Sequence, residues 1–203
     1  MSTLGTFDVS RETMDRLKIY ASLLRKWNPA INLVSKSTLE NLWTRHFEDS
    51  LQIFDLASSP VDHWVDLGSG GGFPGIIVAL FAEEKGFPAR VTLVESDARK
   101  CVFLRSVLRE TQVTAQVIND RVENLSPLNA NVVSARALAD LSTLFDLAHP
   151  HLLSGGYMVF PKGERWEQEL ETAQTKWKFE YQVAKSKTND GSVIISVSGV
   201  TFV

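Results

Sequence analysis

Residues 63–75 read HWVDLGSGGGFPG. Trp64, Val65 and Leu67 form a short β-favouring run. Gly68, Gly70, Gly71 and Gly72 then strip the Cβ atoms from a turn, so that backbone can pass close to a ligand. Pro74 fits the first turn of a helix, where its missing N–H costs nothing. Ile76, Ile77, Val78, Leu80 and Phe81 continue as an apolar helix. A strand that feeds a glycine turn into a helix N-terminus is a nucleotide-binding device.

Working outward, the chain alternates strand and helix. The segment 90–95 (RVTLVE) reads as a strand and 97–110 as a helix with Cys101, Phe103, Leu104, Val107 and Leu108 inward. Strands are predicted at 113–118, 131–135 and 155–160, with helices at 140–149 and 164–175. The last two strands, 176–187 and 192–203, are joined by Asn189-Asp190-Gly191, a hairpin signal that makes them antiparallel. Alternation predicts a parallel sheet covered by helices on both faces, here with one reversed strand.

Upstream of the glycine stretch the periodicity is helical. Met14, Leu17, Tyr20, Ala21, Leu23, Leu24 and Trp27 recur at helical spacing, Ser10 is a candidate N-cap, and Asn28-Pro29 is the predicted stop. A second helical region runs from Leu39 to Leu56, with a break expected near Arg45, and Ala57-Ser58-Ser59-Pro60 closes it. Residues before Ser10 read as a frayed end. The expected organisation is a helical extension, 1–60, packed on a main body, 61–203.

The chain has 203 residues, one cysteine and a net charge of −3. A single cysteine excludes a disulfide framework and a cysteine zinc site, and points to a reducing cytoplasm. No apolar run approaches a membrane span, and the first residues lack the build of a signal peptide. The acidic balance weighs mildly against nucleic acid as partner, although a local basic face can sit on an acidic protein.

Two glycine patterns compete. Gly70-x-Gly72-x-x-Gly75 satisfies the dinucleotide fingerprint, whereas Asp66-x-Gly68-x-Gly70-x-Gly72 has the form seen in S-adenosylmethionine-dependent methyltransferases. A pyrophosphate on this turn disfavours an adjacent carboxylate. S-adenosylmethionine has no phosphate and carries a sulfonium and an ammonium, so Asp66 at the strand end favours the methyl donor. Glu95, at the next strand end, suits the ribose of either ligand. Counted from Gly70, it lies 25 residues on, beyond the roughly 20 residues of the nicotinamide pattern.

LLRKWNPAINLVS (23–35), RHFEDSL (45–51), VDLGSGGGFPGI (65–76), LVESDARKCVFLR (93–105), DRVE (120–123), SARAL (134–138) and PKG (161–163) follow one another in the sequence. In this order they resemble the bacterial small-subunit ribosomal RNA guanine-N7 methyltransferase family, also called glucose-inhibited division protein B. The resemblance covers most of the chain, and the WN-x-x-x-NL and FPG elements make it far more specific than a glycine turn. It implies a Rossmann-like class I α/β fold with a seven-stranded, mostly parallel sheet and a reversed C-terminal strand. It implies S-adenosylmethionine as methyl donor, no metal, and 16S ribosomal RNA as acceptor, within a small-subunit particle. Carried over by residue, Gly68 and Phe73 contact the donor, Glu95 holds its ribose, Val122 and Glu123 lie by the adenine, and Arg136 sits beside the donor. Val122 stands where the family pattern has alanine. Many members also carry a basic tail past the last strand, so an RNA contact of that kind is not expected from the sequence ending at Val203.

Guanine N7 attacks through a lone pair and loses no proton, so no general base is required. Proximity and alignment can supply on the order of 7–11 kcal/mol. Arg136, at a strand C-terminus, can touch the donor, guanine O6 or a phosphate, or instead form a structural ion pair with Asp66 or Asp140. His46, Asp49 and Lys162 are candidate acceptor contacts. For His46 the alternative is a structural histidine, and for Lys162 a solvated loop lysine. Cys101 reads as a core residue rather than a nucleophile. A different small-molecule or protein acceptor, or donor binding without turnover, are the competing functions. Oligomeric state is not readable, and a monomer is the default expectation.

Overall fold

The computed structural model describes residues 2–56 and 61–203. The predicted closing turn at 57–60, and with it the boundary at 60, lies outside the described residues.

Residues 2–9, predicted as part of a frayed end, are ordered into secondary structure. They form a small antiparallel hairpin, β1 (Ser2–Leu4) and β2 (Phe7–Val9). The reason is burial, since Leu4 and Val9 insert into the core, and the Ser10 backbone N–H donates to Glu84 Oε2 at 3.2 Å. Helix α1 (Arg11–Ile31) starts at Ser10, whose hydroxyl accepts from the Thr13 backbone N–H, as its sequence position predicts.

The predicted stop at Asn28-Pro29 is corrected. The helix continues through Pro29 to Ile31 and ends where Asn32 adopts a left-handed conformation. Asn28 secures that ending. It is buried, its carbonyl accepts from Asn32, and its Oδ1 accepts from the Val34 backbone N–H at 2.8 Å. The second helical region is three pieces: α2 (Lys36–Leu39), a π-helical turn at Trp43–Glu48, and α3 (Asp49–Asp55).

The main sheet has β3 (His63–Leu67), β4 (Arg90–Glu95), β5 (Gln116–Asn119), β6 (Ala130–Ala135), β7 (Leu152–Lys162), β8 (Trp177–Lys185) and β9 (Val193–Phe202). Their spatial order is β5-β4-β3-β6-β7-β9-β8. All pairings are parallel except the two made by β9, which is the reversed strand. Strand β5 starts later than predicted. Gln112 takes a left-handed φ of 55° and the Val113 N–H returns to the Leu108 carbonyl, so that stretch terminates helix α5 (Ala98–Thr111) instead of opening a strand.

Helix α4 (Gly75–Lys85) follows β3, α6 (Leu141–Ala148) follows β6, and α7 (Trp166–Gln174) follows β7. Two apolar layers result, one on each sheet face. One joins Trp64, Ile77, Phe81 and Phe103 to Leu17, Tyr20, Leu24 and Phe47 of the N-terminal helices. The other joins Val65, Leu67 and Val133 to Phe145, Phe160 and Trp177. The chain leaves β3 for β4 and β5 on one side and returns to β6 on the other. That reversal opens a crevice at the C-terminal ends of β3 and β6, where open α/β sheets bind ligands.

Candidate active site

The glycine turn forms one wall of the crevice. Gly68, Gly70 and Gly72 have φ of 63°, 54° and 95°, a region side chains rarely adopt. Gly75 is required for a different reason. A Cβ there would lie 2.1 Å from Leu93 Cδ2 and 2.7 Å from Asp66 Oδ2. Pro74 stands at the N-cap of α4 rather than inside its first turn.

Asp66 does not face the crevice, which corrects the charge argument made from its position. It is fully buried beneath the turn. Its Oδ2 accepts from the Gly75 N–H at 3.2 Å, capping α4 from within the core, and its Oδ1 accepts from Ser134 Oγ at 2.8 Å. Trp64 Nε1 in turn donates to Ser134 Oγ at 2.9 Å. Burial pushes its pKa up to about 6, against the lowering effect of these hydrogen bonds.

Glu95, also buried, lies one hydrogen bond behind the turn. Its Oε2 accepts from Gly70 N–H and its Oε1 from Asp97 N–H, both at 2.8 Å. Each oxygen keeps a second lone pair. Val122 is buried and Glu123 exposed in a 3₁₀ turn, Val122–Asn124, after β5. Glu95, Val122 and Glu123 are outside the lining of the main cavity.

That cavity, of about 620 Å³, gathers the other expected residues: Gly68, Phe73, Arg136, His46, Asp49 and Lys162. The centre is a stack. The Arg136 guanidinium lies 4.8 Å from the Phe73 ring centroid, and the His46 ring stacks on Phe73 at 4.8 Å. Phe73 is therefore both cavity floor and core, packed beneath against Tyr20 and Phe47.

Arginine only donates, so the 2.8 Å contact from Arg136 Nη2 makes His46 Nδ1 an acceptor and leaves the ring proton on Nε2. Nε2 then donates to Thr38 Oγ1 at 2.9 Å, and Thr38 donates to the Ser35 carbonyl at 3.1 Å. Burial first, then Arg136 and Arg45, push the His46 pKa down to about 3, so the imidazole is neutral. Arg136 also reaches the Arg45 carbonyl at 3.4 Å and Asp49 Oδ2 at 3.7 Å. Its ion-pair partner is thus Asp49, and neither Asp66 nor Asp140, the latter being the N-cap of α6. Burial lowers the Arg136 pKa, a shift that leaves guanidinium charged.

The other rim is the β8–β9 turn. Asp49 Oδ1 accepts from Thr188 Oγ1 at 2.9 Å, and Gln52 Oε1 accepts from the Lys187 N–H at 2.6 Å. Lys162 is no solvated loop lysine. It is buried at the end of β7, with Nζ donating to the Ala139 carbonyl at 2.9 Å and to Glu169 at 2.7 Å. Cys101 is buried core, its thiol donating to the Glu95 carbonyl.

Sequence reasoning missed Tyr20, Thr38, Ser134 and Ala137. The Tyr20 hydroxyl donates to the Gly71 carbonyl, tying α1 to the glycine turn. Ala137 lines the cavity at φ 53° directly after Arg136. Only Tyr20 carried a signal, a polar tip on an otherwise apolar helix face. Among the described residues no helix is long and apolar enough to cross a membrane, and no group of His, Cys, Asp and Glu is placed to hold a metal ion.

A family model described as GidB: rRNA small subunit methyltransferase G matches residues 13–193. Ribosomal RNA small subunit methyltransferase G of Ruegeria pomeroyi is 52% identical over 199 residues, covering 98% of this chain and 97% of that one. Its counterpart from Ruegeria sp. (strain TM1040) is 49% identical, covering 95% and 94%. Among solved structures, the TehB-like SAM-dependent methyltransferase from Corynebacterium glutamicum shares the fold, with a TM-score of 0.57, 14% identity, and coverage of 91% of this chain and 98% of that one. The glycine turn, the crevice at the strand reversal and the full-length similarity lead to one conclusion: the chain belongs to the rRNA small subunit methyltransferase G family.

Proposed function

We infer that the cavity is where a methyl group passes from S-adenosylmethionine to N7 of a guanine in 16S ribosomal RNA. The observation that carries this reading is the convergence, on one 620 Å³ cavity, of the Cβ-free turn Gly68–Gly72 and the Arg136–His46–Phe73 stack. A Cβ on Gly70 would meet only the Gly68 carbonyl, at 3.7 Å, so the turn presents open backbone to a ligand. In this reading Gly68, Phe73 and Arg136 hold the donor from the cavity. Glu95 offers its spare lone pairs to the ribose hydroxyls at the turn's edge, with Val122 and Glu123 beyond it by the adenine.

The donor supplies an activated sulfonium methyl. What the chain contributes is alignment and exclusion of water. N7 needs no deprotonation, which agrees with a site whose histidine is neutral and spends both nitrogens on Thr38 and Arg136. Asp49 holds Arg136 from the acceptor side. Lys162, with two of its three N–H donors used internally, fixes that rim and keeps one donor for the RNA. The acceptor is taken as an assembled small-subunit particle in the cytoplasm, the enzyme acting as a monomer. The net charge of −3 supports a particle whose shape adds to a weak grip on RNA alone.

The test is labelled methyl transfer onto undermethylated small subunits, followed by nuclease digestion. Label in 7-methylguanosine is expected. Label confined to protein or to a small product, or donor binding without transfer, overturns the reading. Equal rates on short naked RNA and whole subunits would overturn the particle as substrate.

A further inference from the structure

The cavity is lined by four cations, Arg45, Lys100, Arg136 and Lys162, against two carboxylates, Asp49 and Glu169. That local positive excess sits on a chain of net charge −3. The four cations differ in kind. Lys162 spends two of its three donors on Glu169 and the Ala139 carbonyl, and Arg136 is held by Asp49, His46 and the Phe73 face. Arg45 is exposed on the rim and makes no ion pair among the described residues. Lys100, on α5 beside the glycine turn, also lacks one but is half-buried on the opposite, donor side.

Arg45 also lies within reach of a like charge. Arg136 Nη1 hydrogen-bonds its carbonyl, so two guanidinium groups are carried by touching segments. Asp49, the carboxylate that shares the cavity rim with it, already serves Arg136 and Thr188. The Arg45 charge bears on both Arg136 and His46, disfavouring the protonated form of each. The segment that presents it is a π-helical turn, a form that is rare and concentrated at functional sites. An exposed guanidinium at a cavity mouth, with no internal ion pair to give up, is suited to a bidentate contact with an anion such as a phosphate.

We propose that Arg45 is a phosphate-binding residue for the acceptor strand, holding a phosphodiester beside the target guanine while Arg136 serves the donor. The inference rests on the RNA-acceptor reading above. It assigns Arg45 to positioning rather than base recognition, because a phosphate contact sets register without reading sequence. The donor's carboxylate is the competing anion.

The experiment compares wild type, Arg45→Gln and Arg45→Lys in methyl transfer to undermethylated small subunits, over about a fourfold range of salt. Donor affinity is measured separately by calorimetry with S-adenosylmethionine alone. Arg45→Gln is expected to raise KM for the subunit on the order of tenfold at low salt. It should also flatten the log KM against log salt slope by about 0.7–1, one phosphate contact. Arg45→Lys restores the slope, and all three bind the donor within about twofold, which also shows that the variants are folded. Unchanged KM and slope in Arg45→Gln overturn the proposal, leaving a surface arginine. A loss of donor affinity that matches the loss in KM overturns it in favour of a donor contact. If the wild type itself transfers no methyl to subunits, the function proposed above fails and this inference falls with it. An active wild type with an indifferent Arg45→Gln removes the inference alone.

Discussion

At the residue scale, two buried titratable groups work against each other. His46 is held neutral, its pKa pushed from 6.5 down to about 3 by burial and by Arg136 and Arg45. Between those values the unfolded chain binds a proton that the native state refuses. Stability from His46 is therefore complete above about pH 6.5 and is lost on acidification, by up to about 1.4 kcal/mol per pH unit. Asp66 has the opposite sign. Burial raises its pKa from 3.8 to about 6, so in that window the native state binds the proton and stability falls as pH rises. Urea midpoints measured from pH 4 to 6 should accordingly vary little in the wild type on account of these two groups. Asp66→Asn removes the Asp66 effect and should steepen the loss of stability on acidification. His46→Gln should shift the slope in the opposite direction, weakening the loss of stability on acidification. His63 and His151, whose pKa values burial also lowers, add to the His46 direction. Parallel slopes in all three proteins would show that neither group is shifted as described.

At the element scale, the glycine turn depends on what lies under it. Gly75→Ala places a methyl into Leu93 and Asp66, at 2.1 and 2.7 Å, and both are core positions with no room to yield. We expect a loss of about 3 kcal/mol, the upper part of the range for overpacked cores, together with weakened donor binding. A thermal melt within a degree of wild type would contradict it. Asn28→Ala is the corresponding test of the α1 ending. It strips the acceptor from the Val34 N–H and loosens Leu33–Ser35, which line the cavity. The expected cost is about 1–3 kcal/mol by chemical denaturation. A chain whose helix ended at Pro29 would not notice the change. Several element bounds were legible, β4 to the residue, because they rest on local period and caps. The continuation through Pro29 was not. Local chemistry says stop there, and Asn28 overrides it by satisfying a backbone group six residues onward.

At the scale of the whole molecule, Tyr20 connects the N-terminal helices to the site. Its ring stacks on Phe47 and Phe73 at 5.2 and 5.3 Å, and its hydroxyl holds the Gly71 carbonyl. Tyr20→Ala should cost on the order of 3–5 kcal/mol and weaken the donor complex, whereas Tyr20→Phe should lose about 1–3 kcal/mol while keeping the stack. Equal effects of the two, in denaturation and donor titration, would mean that the ring packing is dispensable. The same scale separates what sequence can say from what it cannot. The chain by itself determined an α/β sheet with a reversed strand, a glycine turn at the end of the first sheet strand, and the residues His46, Asp49, Phe73, Arg136 and Lys162 that share its cavity. Strand period, turn chemistry and a distinctive order of motifs are local properties, and they survive without coordinates. The place of β9 between β7 and β8 was nearly legible too, since Val193, Ile194, Ile195 and Val197 are apolar on both faces, as an interior strand requires. Only the tertiary structure decided that Asp66 faces inward as a cap, that His46 is the neutral Nε2–H form, that Lys162 is paired, and that Arg45 makes no ion pair among the described residues. Each of those depends on partners that folding brings from distant parts of the chain, and burial and pairing, not residue type, set what a charged group can do.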